Sequence, residues 1–337
     1  MNYRKSKQIL EEIKRSNRIL LNCHRNPDSD AIGSALAMYA VLTGLKKEVE
    51  IICPSENLFE NINFLNNYYK IQTKINFSSF NFAKFDIFIT MDSSSWEVIA
   101  DLKNFIKPHI KTIVIDHHFT NTFYGDLNLI DAKATSVSEV LYLIFQDWGI
   151  DIDKNIADCL LTGIIGDTGA FKFPKSGQNT LRIAADLMDK GADKDKIIFN
   201  IYMSEPFSLI RFYGKVFSSA NLDKKGRFVW TAIPYEVYRR LNLPTIAKES
   251  ASSLLAQVVE GTDFGFVILE QEPNVISVSF RSRTGVDVSE VARKLGGGGH
   301  IYASGARLEG KTFDSAKKVI LEVARKFAKE NSQNKRL

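Results

Sequence analysis

Residues 18–44, RILLNCHRNPDSDAIGSALAMYAVLTG, join three patterns end to end. RILLNC is a short, nearly continuous apolar run, the mark of a strand buried on both faces. HRNPDSD is a polar loop, and from Asp30 apolar residues recur at helical spacing up to a closing Gly44. The strand pattern returns at 48–53 (EVEIIC), 85–91 (FDIFITM) and 111–115 (KTIVI), and helical periodicity returns at 136–148 and 154–165. Strands that alternate with helices predict a parallel α/β sheet. A second αβ pattern follows at 227–234 (RFVWTAIP), 264–271 and 274–283, closed by an amphipathic helix at about 313–329. With 337 residues the chain is long enough for two domains. The expectation is an α/β fold: a parallel-sheet catalytic domain over 1–190, a helical linker over 191–215, and a smaller α/β substrate-binding domain over 216–332. Phe207 and Phe212, near the linker, are assignable to core or to an interface, and a homodimer is compatible with this reading.

Composition narrows the function classes. Hydrophobic residues at 45% and charged residues at 25% describe an ordinary globular chain rather than a disordered or fibrous one. No apolar run approaches the roughly 20 residues that span a bilayer, and charge interrupts every apolar stretch of the N-terminus, so no membrane partner and no secretory signal are expected. Cys23, Cys53 and Cys159 are widely spaced, odd in number and without CxxC pairing, which argues against a disulfide framework or a zinc site and for a cytoplasmic setting. Basic charge is concentrated late: residues 221–337 carry 19 Lys and Arg against 13 Asp and Glu, a balance suited to an anionic substrate and equally to a solvated surface.

The residues with chemistry sit where strands end. His24, Asp28 and Asp30 lie in the loop after the first strand, Asp92 follows FDIFITM, Asp116-His117-His118 follow KTIVI, and Asp167 stands in GIIGDTG. In an open α/β sheet ligands bind beyond the carboxyl ends of the strands. A helix cap would account for Asp28 or Asp30, but not for two carboxylates and an imidazole within seven residues. Five carboxylates and three imidazoles converging on one edge would repel and be costly to desolvate, so convergence demands a cation. Oxygen-rich ligation with some imidazole favours Mn²⁺ or Mg²⁺, with Co²⁺ as a further candidate. The remaining histidine outside the glycine-rich segment, His109, follows Pro108 in a polar stretch and reads as a surface residue.

These four motifs, HRNPDSD, Asp92, DHH and GDTG, in this order, resemble those of the DHH phosphoesterase superfamily. FRSR with VDVSEVARKLGGGGHIYASGA resembles its associated C-terminal domain, so the likeness covers nearly the whole chain. Within the superfamily the layout is most similar to the nanoRNase-type oligoribonucleases, some of which also dephosphorylate 3′-phosphoadenosine 5′-phosphate. The resemblance implies two Mn²⁺ ions, one held by His24 and Asp28, the other by Asp30, His117 and Asp167, with Asp92 bridging. It also implies that Asp116 orients a ligand and that His118 contacts the scissile phosphate, with Asn26, Ser93 and Thr168 close by. Such a centre would activate water for in-line attack on phosphorus. The implied partners are short single-stranded oligonucleotides or small adenine nucleotides. Relatives of the same layout hydrolyse cyclic di-AMP, which stands as an alternative, as does a nucleotide-binding regulator without catalysis. A manganese pyrophosphatase is disfavoured by the absence of an SRKKQ-like segment, and a RecJ-like exonuclease by length.

The C-terminal part supplies a recognition surface. Gly296 to Gly299 would permit a backbone phosphate cradle with positive φ, where a bare glycine run alone would read as a flexible turn. The run is followed by His300 and preceded by Arg281-Ser282-Arg283 at a strand end. Arginine grips phosphate through paired hydrogen bonds. Substrate contacts are therefore expected from Arg281, Ser282, Arg283, Gly297, Gly298, Gly299, His300 and Ser304, with Arg281 the favoured arginine of the two.

Overall fold

The computed structural model describes residues 2–173, 176–240, 243, 247–299 and 301–334, with backbone alone for 332–334. The chain divides into two compact units, Met1–Ser204 and Glu205–Leu337. In the first, the elements run α1 (Arg4–Arg15), β1 (Arg18–Asn22), α2 (Ser29–Gly44), β2 (Glu48–Ile52), β3 (Ile71–Gln72), β4 (Ile87–Met91), α3 (Trp96–Ala100), β5 (Lys111–Asp116), β6 (Leu127–Ile130), α4 (Val137–Trp148), α5 (Lys154–Asp167), α6 (Gln178–Asp189) and α7 (Lys194–Tyr202). The six strands form one sheet in the order β3-β2-β1-β4-β5-β6, every pair parallel.

Alternation along the strands explains the apolar runs. Ile19 and Leu21, Ile87 and Ile89, and Ile113 and Ile115 enter a core shared with α1, α2, α4 and α5. Leu20, Ile52 and Phe88 point the other way, into a layer of Phe77, Phe82, Phe85 and Ile99. A strand covered on both faces needs apolar residues at every position.

The second unit runs α8 (Phe207–Ser218), β7 (Asn221–Asp223), β8 (Phe228–Ile233), α9 (Tyr235–Tyr238), α10 (Ala247–Val258), β9 (Phe264–Glu272), β10 (Val275–Ser282), α11 (Ser289–Lys294), β11 (Gly298–Gly299), β12 (Ala303–Glu309) and α12 (Phe313–Asn334). Its sheet, β11-β12-β10-β9-β8-β7, is mixed, with β8 and β9 parallel and the other pairs antiparallel. One face packs Phe264, Phe266 and Phe280 against Ile320 and Phe327 of α12; the other packs Val229 and Val267 against Leu255 of α10 and Phe212 of α8.

The division between Ser204 and Glu205 falls inside the segment expected to be a linker, which forms two helices. Phe212 is fully buried in the second unit, whereas Phe207 is 76% exposed. Among the described residues no helix is long and apolar enough to cross a membrane.

Candidate metal centre

β1, β4 and β5 lie side by side, and the strand order reverses between β1 and β4. At such a reversal the loops leaving neighbouring strands diverge and open a crevice at the carboxyl edge. His24 leaves β1, Asp92 leaves β4, and Asp116, His117 and His118 end or follow β5. Two helices complete the arrangement: α2 brings Asp28 and Asp30 at its start, and α5 brings Asp167 at its last turn. The described side chains form three groups able to hold a cation: His24, Asp28 and Asp92; Asp30, His117 and Asp167; and Asp92, His117 and His118.

Asp92 stands at the middle. Its Oδ2 lies 3.4 Å from His24 Nε2 and its Oδ1 3.4 Å from His117 Nε2, so each oxygen faces the imidazole of a different strand. Its backbone has φ 52°, in the left-handed region that Asp enters more readily than most residues, and Asn26 in the first loop has φ 50°. Strain of this kind gathers at functional sites. His24 Nδ1 is 2.7 Å from the Arg25 carbonyl and donates to it, which leaves Nε2 for Asp92 or a cation. Among the described residues both ring nitrogens of His117 are buried without a hydrogen-bond partner, although Asp167 Oδ2 lies 3.2 Å from Nε2. An orphaned buried imidazole ringed by carboxylates is what a metal ligand looks like before the ion is counted, so these residues fit a divalent cation.

The Asp28 carboxylate also caps α2, accepting from the Asp30 and Ala31 amides at 3.0 Å. Asp30 is fully buried and accepts from Val137 N at 2.6 Å, Ser138 N at 3.0 Å and Ser138 Oγ at 2.5 Å, all at the start of α4. A helix N-terminus is a natural seat for a carboxylate. The seat exists because α2 and α5 approach closely at glycines. A Cβ on Gly33 would lie 2.5 Å from the Cys159 carbonyl, and one on Gly163 would strike Ser138 Oγ and Asp30 Oδ1.

Burial and mutual repulsion set the protonation of the cluster. Burial lowers the histidines, but Asp92, Asp28 and Asp167 outweigh it and raise His24 to about 9 and His117 to about 10. Burial, reinforced by the Asp92 charge, pushes Asp30 up to about 7, and burial with Asp30 and Asp28 holds Asp167 well above the carboxylate range. Burial also acts to raise Asp92, but His117 and His24 overcome it and hold it well below. Protons thus do in the bare protein what a cation would do better.

Asp116 is fully buried and accepts from His118 Nδ1 at 2.8 Å and from Asn121 Nδ2 at 2.6 Å. This hydrogen bond fixes the orientation of the His118 ring. Asn121 and Ser138 escaped notice in the sequence, because nothing in an isolated Asn or Ser tells which carboxylate it will meet. The Ser136-to-Glu139 spacing signals a helix start, and Ser136 does cap α4, but that signal does not reveal Asp30 as its target. His109 is exposed.

In the second unit a groove of about 620 Å³ is lined by Lys248, Glu249, Ser279, Arg281, the glycine run and Ser304, among others. Arg281 Nε donates to Ser253 Oγ at 2.9 Å and Nη1 to the Phe280 carbonyl at 3.0 Å. Burial pulls its guanidinium below its usual value. Ser282 and Arg283 are not among the groove residues. Ser282 Oγ accepts from the Gly285 amide at 3.1 Å, and Arg283, exposed beyond the end of β10, donates to the Thr262 carbonyl at 3.1 Å. Alternation keeps Ser279 and Arg281 on one face and turns Ser282 to the other. The glycine run is only partly a loop: Gly296 has φ 79° and Gly299 φ 138°, yet Gly298 and Gly299 pair with Gly305 and Ser304 of β12. Ser304 lines the groove, but its Oγ donates to the Val288 carbonyl at 2.7 Å. His300 lies outside the described residues.

Residues 18–164 match the DHH family, N-terminal domain, and residues 243–330 match the DHHA1 domain. The chain belongs to the DHH family of phosphoesterases. It is 30% identical over 311 residues to the bifunctional oligoribonuclease and PAP phosphatase NrnA of Thermus thermophilus, covering 91% of this chain and 89% of that protein. The Bacillus subtilis protein of the same name is 27% identical, with 94% and 96% covered. The cyclic-di-AMP phosphodiesterase PdeA of Listeria monocytogenes is 25% identical, with 94% of this chain but 48% of that protein covered. An exopolyphosphatase-related protein from Bacteroides fragilis has the same fold, with TM-score 0.88, 23% identity and 96% of each chain covered.

Proposed function

We propose that this chain hydrolyses short oligonucleotides to nucleoside 5′-monophosphates and removes the 3′-phosphate of 3′-phosphoadenosine 5′-phosphate, using two Mn²⁺ ions. The observation that carries the reading is Asp92, whose two oxygens face imidazoles from two different strands. This placement supports a bridging role for Asp92 between two ions. His24 and Asp28 would hold one ion, and Asp30, His117 and Asp167 the other. Bound there, the ions supply Lewis-acid charge at phosphoryl oxygens and lower the pKa of water.

The protein's own groups do the rest. Asp116 accepts a hydrogen bond from His118 Nδ1 and fixes that ring beside Asp92, where it would meet a phosphoryl or leaving-group oxygen. The start of α4 holds Asp30 in one orientation through three donors. Ser253 and the Phe280 carbonyl hold Arg281 by Nε and Nη1, leaving Nη2 for an anion in the groove. The names of the Thermus and Bacillus relatives, each covered almost end to end, support the substrate class.

The test is a product time course with Mn²⁺ on pApA, a five-nucleotide RNA, a long RNA, cyclic di-AMP and 3′-phosphoadenosine 5′-phosphate, with Asp92→Ala as control. Mononucleotide release from the dinucleotide and the pentamer, abolished in the variant, is expected. Opening of cyclic di-AMP ahead of pApA would overturn the substrate assignment, and near-normal turnover by Asp92→Ala would overturn the bridging role.

A further inference from the structure

Two phenylalanines on the loop that follows His118 have no part in the chemistry above. Phe119 directly follows His118 and is 65% exposed; Phe123, four residues on, is 63% exposed. Phe123 also has φ 53°, a region in which a bulky side chain is an outlier and glycine is at ease.

The loop that carries them is fastened on its buried side. The Asn121 amide donates to the His118 carbonyl at 3.1 Å, and its side chain donates to Asp116 Oδ2 at 2.6 Å and to the Ser93 carbonyl at 3.1 Å. Its Oδ1 in turn accepts from the Phe123 amide at 2.7 Å. Thr122 donates its amide and its hydroxyl to the Ser94 carbonyl at 3.0 and 3.1 Å, and Tyr124 Oη donates to the Ser93 carbonyl at 3.0 Å. The loops after β4 and β5 are thus stitched together around the residues that orient His118. Two apolar rings are left in water on a rigid loop, one of them on strained backbone.

We infer that Phe119 and Phe123 are nucleobase-stacking residues that hold the base of the nucleotide whose phosphate enters the centre. A ring fixed in place loses little entropy on stacking, and every base offers a π-face, so such contacts bind nucleotides without reading sequence. The assignment rests on the proposed function for the identity of its ligand, since a base accompanies the phosphate only if the substrate is a nucleotide.

The test is calorimetric titration of AMP and of ribose 5-phosphate into the full chain with Mn²⁺, for wild type, Phe119→Ala and Phe123→Gly. Base stacking predicts that each variant weakens AMP roughly 5- to 150-fold, while ribose 5-phosphate is unchanged. Phe123→Gly should melt no lower than wild type, because glycine relieves the backbone. Unchanged AMP affinity in both variants, or equal losses for the two ligands, overturns the inference. So does a wild type that binds AMP no more tightly than ribose 5-phosphate. If wild type cleaves no nucleotide yet shows a base preference that the variants lose, the functional reading fails and the stacking role stands.

Discussion

Replacing Gly163 by Ala puts one methyl group where the centre has no room for it. The new Cβ would collide with Ser138 Oγ and Asp30 Oδ1 and lie 2.8 Å from Ser138 Cβ. Neither partner can retreat, because Asp30 is fully buried and bonded to Ser138 at 2.5 Å. Overpacking costs about 1–3 kcal/mol, and losing the hydrogen bond to the Asp30 carboxylate costs about 1.5–3 kcal/mol. Ala in a helix recovers about 0.5–1 kcal/mol over Gly. The net is a loss of about 2–5 kcal/mol, which for a unit of this size lowers Tm by roughly 4–20 °C. Mn²⁺ affinity should fall with it, since Asp30 is displaced. Differential scanning calorimetry and a Mn²⁺ titration read the two effects. Gly44→Ala is the control: a Cβ there meets nothing within 4 Å, so it should leave stability level or slightly raised. A Gly163→Ala protein that melts with wild type and binds Mn²⁺ as tightly would refute the packing argument.

Three further outcomes follow from the same geometry. Asp116→Asn leaves His118 an acceptor but removes the charge, and should lower kcat by roughly 10- to 100-fold with Mn²⁺ affinity little changed, read by steady-state kinetics. His24, His117 and Asp30 have raised pKa values, so in the metal-free protein their stabilising contributions are complete at acid pH and fade through about 9, 10 and 7; Asp92, held low, acts in the opposite sense only at acid pH. The Tm gain on adding Mn²⁺ should therefore be larger at pH 9 than at pH 6, and a gain that is equal or reversed would contradict the cluster. Arg281→Ala should raise KM for pApA by roughly tenfold or more while sparing kcat, with Ser253→Ala a weaker copy, because removing a hydrogen bond to a charged group costs about 1.5–3 kcal/mol; a fall in kcat alone would count against a binding role.

Much of this was legible before any coordinates. β1, β4 and β5 declared themselves because both of their faces are covered, and β2 through the buried Ile51 and Ile52 at its end. β3, two residues long, and β6, whose Leu129 alone is buried, carry too little apolar pattern to stand out. α1 buries only Ser6, Ile9 and Ile13 among its charges. β12, ASGARLE, is built of small residues and read as part of a phosphate motif instead of a strand. The residues gathered at the centre were visible because carboxylates and imidazoles directly after apolar strands have few structural uses. Arg281 was separable from Arg283 only by asking where the strand ends. Asn121, Ser138 and Ser253 were invisible, since each is an ordinary polar side chain whose meaning comes from the partner that tertiary packing brings to it.

The centre draws on segments spread from residue 24 to residue 167, and its last contributor arrives only when α5 docks on α2. A polypeptide still being made, with Asp167 inside the ribosome, has the DHH triplet and Asp92 but cannot assemble the set. Catalytic competence is thereby postponed until the first unit is complete.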